Sequence, residues 1–554
     1  ECLSKQYTHK SCEKVFCHPW ERCVEGKCVC KLPYQCPKNG SWVCSTNGRN
    51  FHTYCHLKSY ECQRPEAKFL HKGKCMSQET FLVSGSHGDS SLLQVKPSYQ
   101  KDYIFVCDSE WTMNEANVAC KYLGFELGAE YYQVNPSIAE PASNSLHCLQ
   151  ITCRGLETSL AECHIEVKPR DSNMGLVSLQ CQENLRACSG GEFQCVNKKC
   201  ISLNKTCDGI NDCGDLSDEL CCRECRDNSF HCRSDICIPN KNVCNKEIDC
   251  LTGEDEARVL CAGKDKAAEN HSMDEDTFFL FVKERKMIKT LLPQVHCGLT
   301  NYTLTRRKRI VGGQTARKGE FPWQVAIKDI GNEGSTVYCG GVYIGGCWVL
   351  TAAHCVRANR IHRYIVWTGL LGTIEHDKEA DTFRVKKLII HENYNVSTYE
   401  NDIALLQLKG SPGPAGECSV AQSTPACIPW SEHMFKAGDR CKVSGWGLEK
   451  GYAKQFILKW GNINLFENCS ELYPGRFFKK MACTYDGSID SCKGDSGGPL
   501  VCFDAENVAY VWGIVSWGEN CGEAGHPGVY TKVASYYDWI SQHVTRSLIS
   551  RYNI

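Results

Sequence analysis

The chain has almost no net charge. Its 63 Lys and Arg stand against 64 Asp and Glu, which leaves −1 at neutral pH. A nucleic-acid partner would call for a basic excess, so that class is excluded. The chain also lacks an apolar run of membrane-spanning length, which excludes a transmembrane helix. No export signal stands at its start, which reads Glu1-Cys2. The expectation is a mature chain whose signal has been removed or was never included. Cysteine, by contrast, is abundant: 42 in 554 residues, an even number. That density belongs to an oxidising compartment, so a secreted, extracellular protein is expected. Six Asn-x-Ser/Thr sites, at Asn39, Asn204, Asn270, Asn301, Asn395 and Asn468, fit a glycosylated plasma or surface protein. The length exceeds what one core serves, so several domains are expected.

One stretch organises the rest: Cys492-Lys-Gly-Asp-Ser-Gly-Gly-Pro499. Glycines around Ser496 permit a tight turn that presents a nucleophile. The N–H groups of Gly494 and Ser496 could then hold a developing oxyanion. Alone, such a run could be an ordinary loop. Two stretches lie upstream in the matching order, Thr351-Ala-Ala-His-Cys355 and Asp402-Ile-Ala-Leu-Leu406. The order His354, Asp402, Ser496 is that of chymotrypsin-like proteases. From Ile310 to the C-terminus the chain resembles the trypsin family. The resemblance implies a protease domain over 310–554, built as two six-stranded β-barrels with the site between them and a C-terminal helix near 536–548. Strands are expected in Phe321-Pro-Trp-Gln-Val-Ala-Ile327 and Tyr338-Cys-Gly-Gly-Val-Tyr-Ile344.

The resemblance also implies the specificity. Asp490 lies six residues before Ser496, at the base of the primary pocket, so cleavage should follow Arg or Lys. The pocket walls would come from Ser516-Trp-Gly518 and Pro527-Gly-Val-Tyr530, with Gly518 and Gly528 leaving room for Arg. The segment from Cys483 to Asp490 is two residues shorter than the family's usual one. Implied disulfides are Cys339–Cys355, Cys441–Cys502, Cys469–Cys483 and Cys492–Cys521, with Cys347–Cys418 as an extra pair. Arg306-Arg-Lys-Arg309 directly precedes Ile310-Val-Gly-Gly313, where trypsin-like zymogens are cut. A furin-type cut after Arg309 would give heavy and light chains, held together by Cys297 and Cys427. The freed Ile310 ammonium would then turn inward and pair with Asp495, since a buried charge needs a partner.

Upstream, residues 1–76 hold 11 Cys and little that could form an apolar core. They resemble a follistatin/Kazal-like module, which implies bridges Cys12–Cys23, Cys17–Cys28, Cys30–Cys62, Cys36–Cys55 and Cys44–Cys75. A docking role is favoured over protease inhibition, because fold does not confer function. In residues 77–183 Cys thins out. Trp111-Thr-Met-Asn-Glu-Ala-Asn-Val-Ala-Cys120 puts Met113, Ala116, Val118 and Ala119 near one helical face. Cys153-Arg-Gly-Leu-Glu-Thr-Ser-Leu-Ala-Glu-Cys163 is similar to a scavenger-receptor cysteine-rich domain, which implies Cys107–Cys148, Cys120–Cys181 and Cys153–Cys163.

Residues 184–222 and 223–262 are an internal repeat. Each ends in an acidic cluster inside a six-Cys frame that resembles the low-density-lipoprotein-receptor class A module. Crowded carboxylates suit calcium, which takes six or more oxygens. Carried over by position, the first site would use Asp208, Asp212, Asp218 and Glu219, with carbonyls of Lys205 and Ile210. The second would use Asn245, Asp249, Asp255 and Glu256, with carbonyls near Asn242 and Glu247. Asn245 replaces an Asp and removes one charge, so the second site should bind calcium more weakly. These ions would be structural; none is needed for catalysis. The surplus Cys2 and Cys221 are expected to pair, leaving Cys207–Cys222 inside the repeat. Residues 263–309 read as a linker.

This module order, with Cys28-Val-Cys-Lys-Leu-Pro-Tyr-Gln-Cys36 and Tyr485-Asp-Gly-Ser-Ile-Asp490, resembles a family of complement-regulating plasma proteases. The resemblance implies cleavage of the activated third and fourth complement components. It implies a cofactor protein such as factor H, membrane cofactor protein or complement receptor one. Two rivals are a broader-specificity activating protease and a binding protein with an inert protease domain.

Overall fold

The computed structural model describes residues 2–36, 38, 40–76, 81–84, 92–135, 147–170, 174–262, 285, 296–300, 313–331, 337–372, 380–410, 420, 423–447, 456–485, 495–519 and 525–544. Residues 1–292 form one compact unit and 293–552 another. The chain is multidomain, with small disulfide-stapled modules in the first unit and two β-barrels in the second. No described helix is long and apolar enough to cross a membrane.

In the first unit, small elements are stapled by disulfides. A hairpin pairs Glu21–Val24 with Lys27–Cys30. A three-stranded sheet of Val43–Ser45, Asn50–Phe51 and Phe69–Lys72 follows. Helix α1 (Tyr54–Gln63) packs on it, its first turn capped by the Thr53 side chain, which accepts from His56 N. The core is small: Trp20, Val43, Phe51, Tyr54, Leu57 and Phe69 with two half-cystines. The five bridges expected here are all present.

Helix α2 (Met113–Tyr122) opens with a capping box between Thr112 and Glu115. Its apolar side, Ala116, Val118 and Ala119, is buried as the spacing predicts. Asn114, Glu115 and Asn117 are buried too. Sequence periodicity marks only the apolar face. The polar face is covered because residues 211–214 of the first repeat dock on it. Antiparallel pairs Ala129–Asn135 with Leu176–Cys181, and His147–Thr152 with His164–Pro169, complete this domain. Its three expected disulfides are formed.

Each repeat is a two-stranded hairpin, a short 3-10 turn and three disulfides. Cys207 pairs with Cys222 as expected. The pairings expected for Cys2, Cys418, Cys492 and Cys521 rest on side chains outside the described residues.

The second unit holds two closed β-barrels. The first uses β1 (Gln324–Asp329), β2 (Cys339–Gly345), β3 (Trp348–Thr351), β4 (Tyr364–Thr368), β5 (Asp381–Ile390) and β6 (Ala404–Leu408). Its closed order is β1-β2-β3-β6-β5-β4. Strand β1 begins later than the sequence suggests; Pro322, with no N–H to donate, lies in the turn before it. The second barrel uses β7 (Arg440–Gly445), β8 (Lys459–Phe466), β9 (Met481–Thr484), β10 (Pro499–Phe503), β11 (Ala509–Trp517) and β12 (Gly528–Lys532). It runs β8-β7-β10-β11-β12-β9 and closes through β8 and β9, with Gln314–Thr315 added at the edge. Val325, Val342, Val349 and Leu405 on the strands of the first barrel, and Leu500, Val511, Ile514 and Val529 on those of the second, are all fully buried. Helix α3 (Tyr537–His543) lies where the C-terminal helix is expected, and residues 545–548 of that expectation lie outside the described residues.

Candidate active site

Strand β3 ends in a 3-10 turn, Ala353–Cys355, which carries His354. The Cys339–Cys355 disulfide ties this turn to the start of β2 and fixes where the imidazole stands. Asp402 lies just before β6 and has no solvent exposure. A buried carboxylate is tolerated when donors surround it. Asp402 Oδ1 accepts from His354 N at 2.9 Å, and Oδ2 meets His354 Nδ1 at 2.7 Å. Ser516 Oγ on β11 donates to the same Oδ2 at 2.6 Å. Thr531 Oγ1 on β12 donates to the Asp402 carbonyl at 2.7 Å. An aspartate beside the first barrel is thus held by two strands of the second. The chain approaches it through Tyr399 and Asn401, both at φ +57, a strained conformation for residues with side chains. The Tyr399 ring meets the His354 ring edge-on at 5.6 Å.

Ser496 sits half-buried in the turn before β10. Gly497 has φ +78, which a side chain would disfavour. Gly340 N on β2 donates to the Ser496 carbonyl at 2.8 Å. A Cβ on Gly340 would stand 2.8 Å from the Gly498 Cα, so only glycines let the two backbones close. Gly497 N also donates to Val515 O at 2.8 Å. The serine turn is therefore pinned to both barrels. Asp495 Oδ1 accepts from Gly447 N at 2.7 Å. Ser516 is buried on β11, and a Cβ on Gly518 would lie 3.8 Å from the Gly528 Cα, so the two glycines expected in the pocket wall stand opposite one another. Gly494, Asp490, Arg309 and Ile310 lie outside the described residues.

The two acidic loops fold alike. In the first, Asp208 Oδ1 accepts from Ile210 N, Asp218 Oδ2 from Asp212 N and Cys213 N, and Glu219 from Asp208 N and Gly209 N. In the second, Asn245, Asp255 and Glu256 accept from the equivalent amides of Glu247, Asp249, Cys250, Asn245 and Lys246. Asp212 Oδ2 and Asp218 Oδ1 are buried and accept no hydrogen bond among the described residues. Burial, then the neighbouring carboxylates, push Asp212 up to about 7 and Glu219 up to about 9. Burial likewise pushes Asp255 up to about 7. Carboxyls that resist ionisation together, with oxygens left unbonded, fit a hard divalent cation. Lys205 and Asn242 each lie in a 3-10 turn just before their loop.

Cys297 and Cys427 are bonded to each other. Asn204, Asn395 and Asn468 are exposed. Asn39, Asn270 and Asn301 lie outside the described residues. Sequence reasoning missed Thr531 and Tyr399 at the site and Arg154 near the second acidic loop. Thr531 and Tyr399 stand outside the quoted motifs, and Arg154, although inside the Cys153–Cys163 stretch, has partners that no local signal marks.

Comparison with known proteins agrees with these modules. The trypsin family model matches residues 310–540. The complement factor I FIMAC N-terminal and KAZAL domain models match 8–28 and 30–75. The scavenger receptor cysteine-rich model matches 83–182, and the low-density lipoprotein receptor class A model matches 186–222 and 223–261. Complement factor I of Mus musculus is 50% identical over 574 residues, covering 100% of this chain and 94% of the mouse protein. That of Rattus norvegicus is 51% identical over 575 residues, with the same coverage.

Proposed function

The chain belongs to the complement factor I family of complement-regulating, trypsin-like serine endopeptidases, and from that premise we propose that His354, Asp402 and Ser496 form its catalytic centre. The observation that carries this is the unbroken set of donors from His354 and Ser516 to the buried Asp402, beside a serine turn pinned by Gly340. Asp402 fixes the imidazole with its proton on Nδ1, which leaves Nε2 as the base. Ser496 Oγ attacks the peptide carbonyl while His354 takes its proton. The oxyanion is met by the N–H groups of Gly494 and Ser496. Collapse breaks the C–N bond, and His354 returns the proton to the departing amine. Water then repeats the sequence on the acyl-enzyme and frees Ser496. Asp490 at the pocket floor, with Ser516, Gly518 and Gly528 around it, selects Arg or Lys at the cut. Cleavage after Arg309 frees Ile310 to pair with Asp495.

The substrates are the activated third and fourth complement components, cut in the presence of factor H, membrane cofactor protein or complement receptor one. The protein acts in plasma as heavy and light chains joined by Cys297–Cys427. Asp208, Asp212, Asp218 and Glu219 hold one structural calcium, and Asn245, Asp249, Asp255 and Glu256 a second. When bound, calcium neutralises the crowded carboxylates and orders each loop in place of a core.

Digestion of the purified activated third component, with and without factor H, tests the reading. Cleavage of its α′ chain only with factor H, lost in Ser496→Ala, is the expected result. No cleavage either way, with brisk turnover of small Arg substrates, would remove the complement substrate. Absence of labelling by a serine-directed fluorophosphonate would instead point to an inert domain.

A further inference from the structure

We propose that the two acidic loops act together as a calcium-set clasp on one loop of the scavenger-receptor domain, residues 153–157, so that calcium in the repeats governs the docking of that domain. The proposal rests on the calcium reading above and goes beyond it. There the ions organise each repeat from within; here they also organise what the repeats hold.

The gripped loop is built to be rigid. Glu157 accepts from the backbone N–H of Arg154, Gly155 and Leu156 at 2.7, 2.9 and 3.1 Å. Gly155 has φ +95, and a Cβ there would lie 2.6 Å from Asn114 Oδ1. The loop is bound to helix α2 as well, since Glu115 accepts from Cys153 N at 2.8 Å.

The first acidic loop holds it from one side. Asn211 Nδ2 donates to the Gly155 carbonyl at 3.2 Å, and Asn211 N donates to Asn114 Oδ1 at 2.9 Å. Asn117 on α2 donates to the Asn211 carbonyl at 2.7 Å, and Lys121 donates to the Gly214 carbonyl. Lys199 of the repeat reaches Asn117 at 3.3 Å and the Asp212 carbonyl at 2.7 Å. Every one of these partners in the repeat, Lys199 apart, belongs to residues 211–214. That is the segment between the expected ligands Asp208 and Asp218, and it contains Asp212 itself.

The second acidic loop holds it from the other side. Arg154 donates to Glu247 at 2.7 Å and to Asp249, an expected ligand. Lys241 donates to the Cys153 carbonyl at 3.4 Å. Between the two grips lies a cavity of ≈ 370 Å³, lined by Arg154, Glu157, Asn114, Asn211, Glu247 and Asp249 among others. Loop 153–157 is thus held by polar groups at fixed reach, with open space beside it. Hydrogen bonds of this kind depend on the geometry of the loop that makes them. A segment of crowded carboxylates without a core keeps that geometry only when the cation is bound. Docking and calcium binding are therefore linked, and linkage acts in both directions.

Hydrogen exchange of the full chain, in saturating calcium and in excess chelator, tests this. The clasp predicts that chelation speeds exchange in residues 111–123 and 153–157 by roughly 5- to 150-fold, the usual span of a coupling between sites, along with 208–215 and 245–256. Faster exchange confined to the two repeats would overturn the clasp and leave the calcium reading standing. No change anywhere would overturn the calcium reading and the clasp with it. Arg154→Ala in calcium should raise exchange at 153–157 and 245–250 while 208–215 keeps its calcium-loaded protection. Exchange equal to wild type at 153–157 in that variant would refute the grip of the second loop.

Discussion

Asp402→Asn changes one atom and should nearly silence the enzyme, for a reason visible in its hydrogen bonds. Oδ1 accepts from His354 N, a backbone donor that can do nothing but donate. The amide oxygen of Asn must therefore take the Oδ1 position. Its NH2 group falls where Oδ2 was, facing His354 Nδ1 at 2.7 Å and Ser516 Oγ at 2.6 Å. The Ser516 hydroxyl can rotate to accept. The imidazole can accept only by losing its proton from Nδ1, which shifts the proton to Nε2, the atom that must receive the Ser496 proton. The base is lost although every side chain keeps its place. The same tautomer error in a trypsin-like site costs about 10⁴ in kcat, or roughly 5.5 kcal/mol of barrier. The assay is kcat on a small Arg substrate at neutral pH, with the fluorophosphonate labelling rate falling in parallel and Tm held as a control. A variant with wild-type Tm and kcat within about tenfold of wild type would refute the reasoning.

Three further outcomes are expected. Lys58 is buried with Glu61 at 2.7 Å and Glu162 at 2.8 Å, and Tyr54 donates to Glu162 at 2.7 Å. Lys58→Met should destabilise by about 3–5 kcal/mol at neutral pH, because it strands buried carboxylates; chemical denaturation with a loss below about 1 kcal/mol would contradict this. Burial alone would raise the Glu162 pKa, but Lys58 outweighs it and leaves that carboxyl below its ordinary value. Its stabilisation is present above the ordinary carboxyl pKa and is lost as pH falls through the depressed one, so the cost of Lys58→Met should shrink on acidification. Asp490→Ser should abolish cleavage after Arg while leaving fluorophosphonate labelling intact; retained Arg cleavage would mean that the pocket floor is elsewhere.

Much of the site was legible in the chain. The proposed triad members sit in short stretches whose neighbours do local work: Gly497 adopts the positive φ of the serine turn, and Cys355 anchors the histidine turn. The disulfide frames were legible only through the resemblance to known modules, since spacing alone leaves many pairings open. The paired acidic loops were legible because the pattern recurs. Ser516 was read as a pocket residue, yet its hydroxyl also donates to Asp402, a partner 114 positions away.

What the sequence by itself determined is therefore the set of modules, their order and the chemistry each can host. Local stretches encode turns, while the resemblance of the cysteine frames to known modules implies the bridges and the ligand sets. Only the tertiary structure decided which polar side chains became buried partners. The polar face of α2 reads as a solvated surface until residues 211–214 cover it. Arg154 and Lys58 read as surface cations until Asp249 and Glu162, each about a hundred residues away, meet them. Such pairs follow no period, because charge and hydrogen-bond complementarity act across space, where only the docking of finished modules brings the partners together.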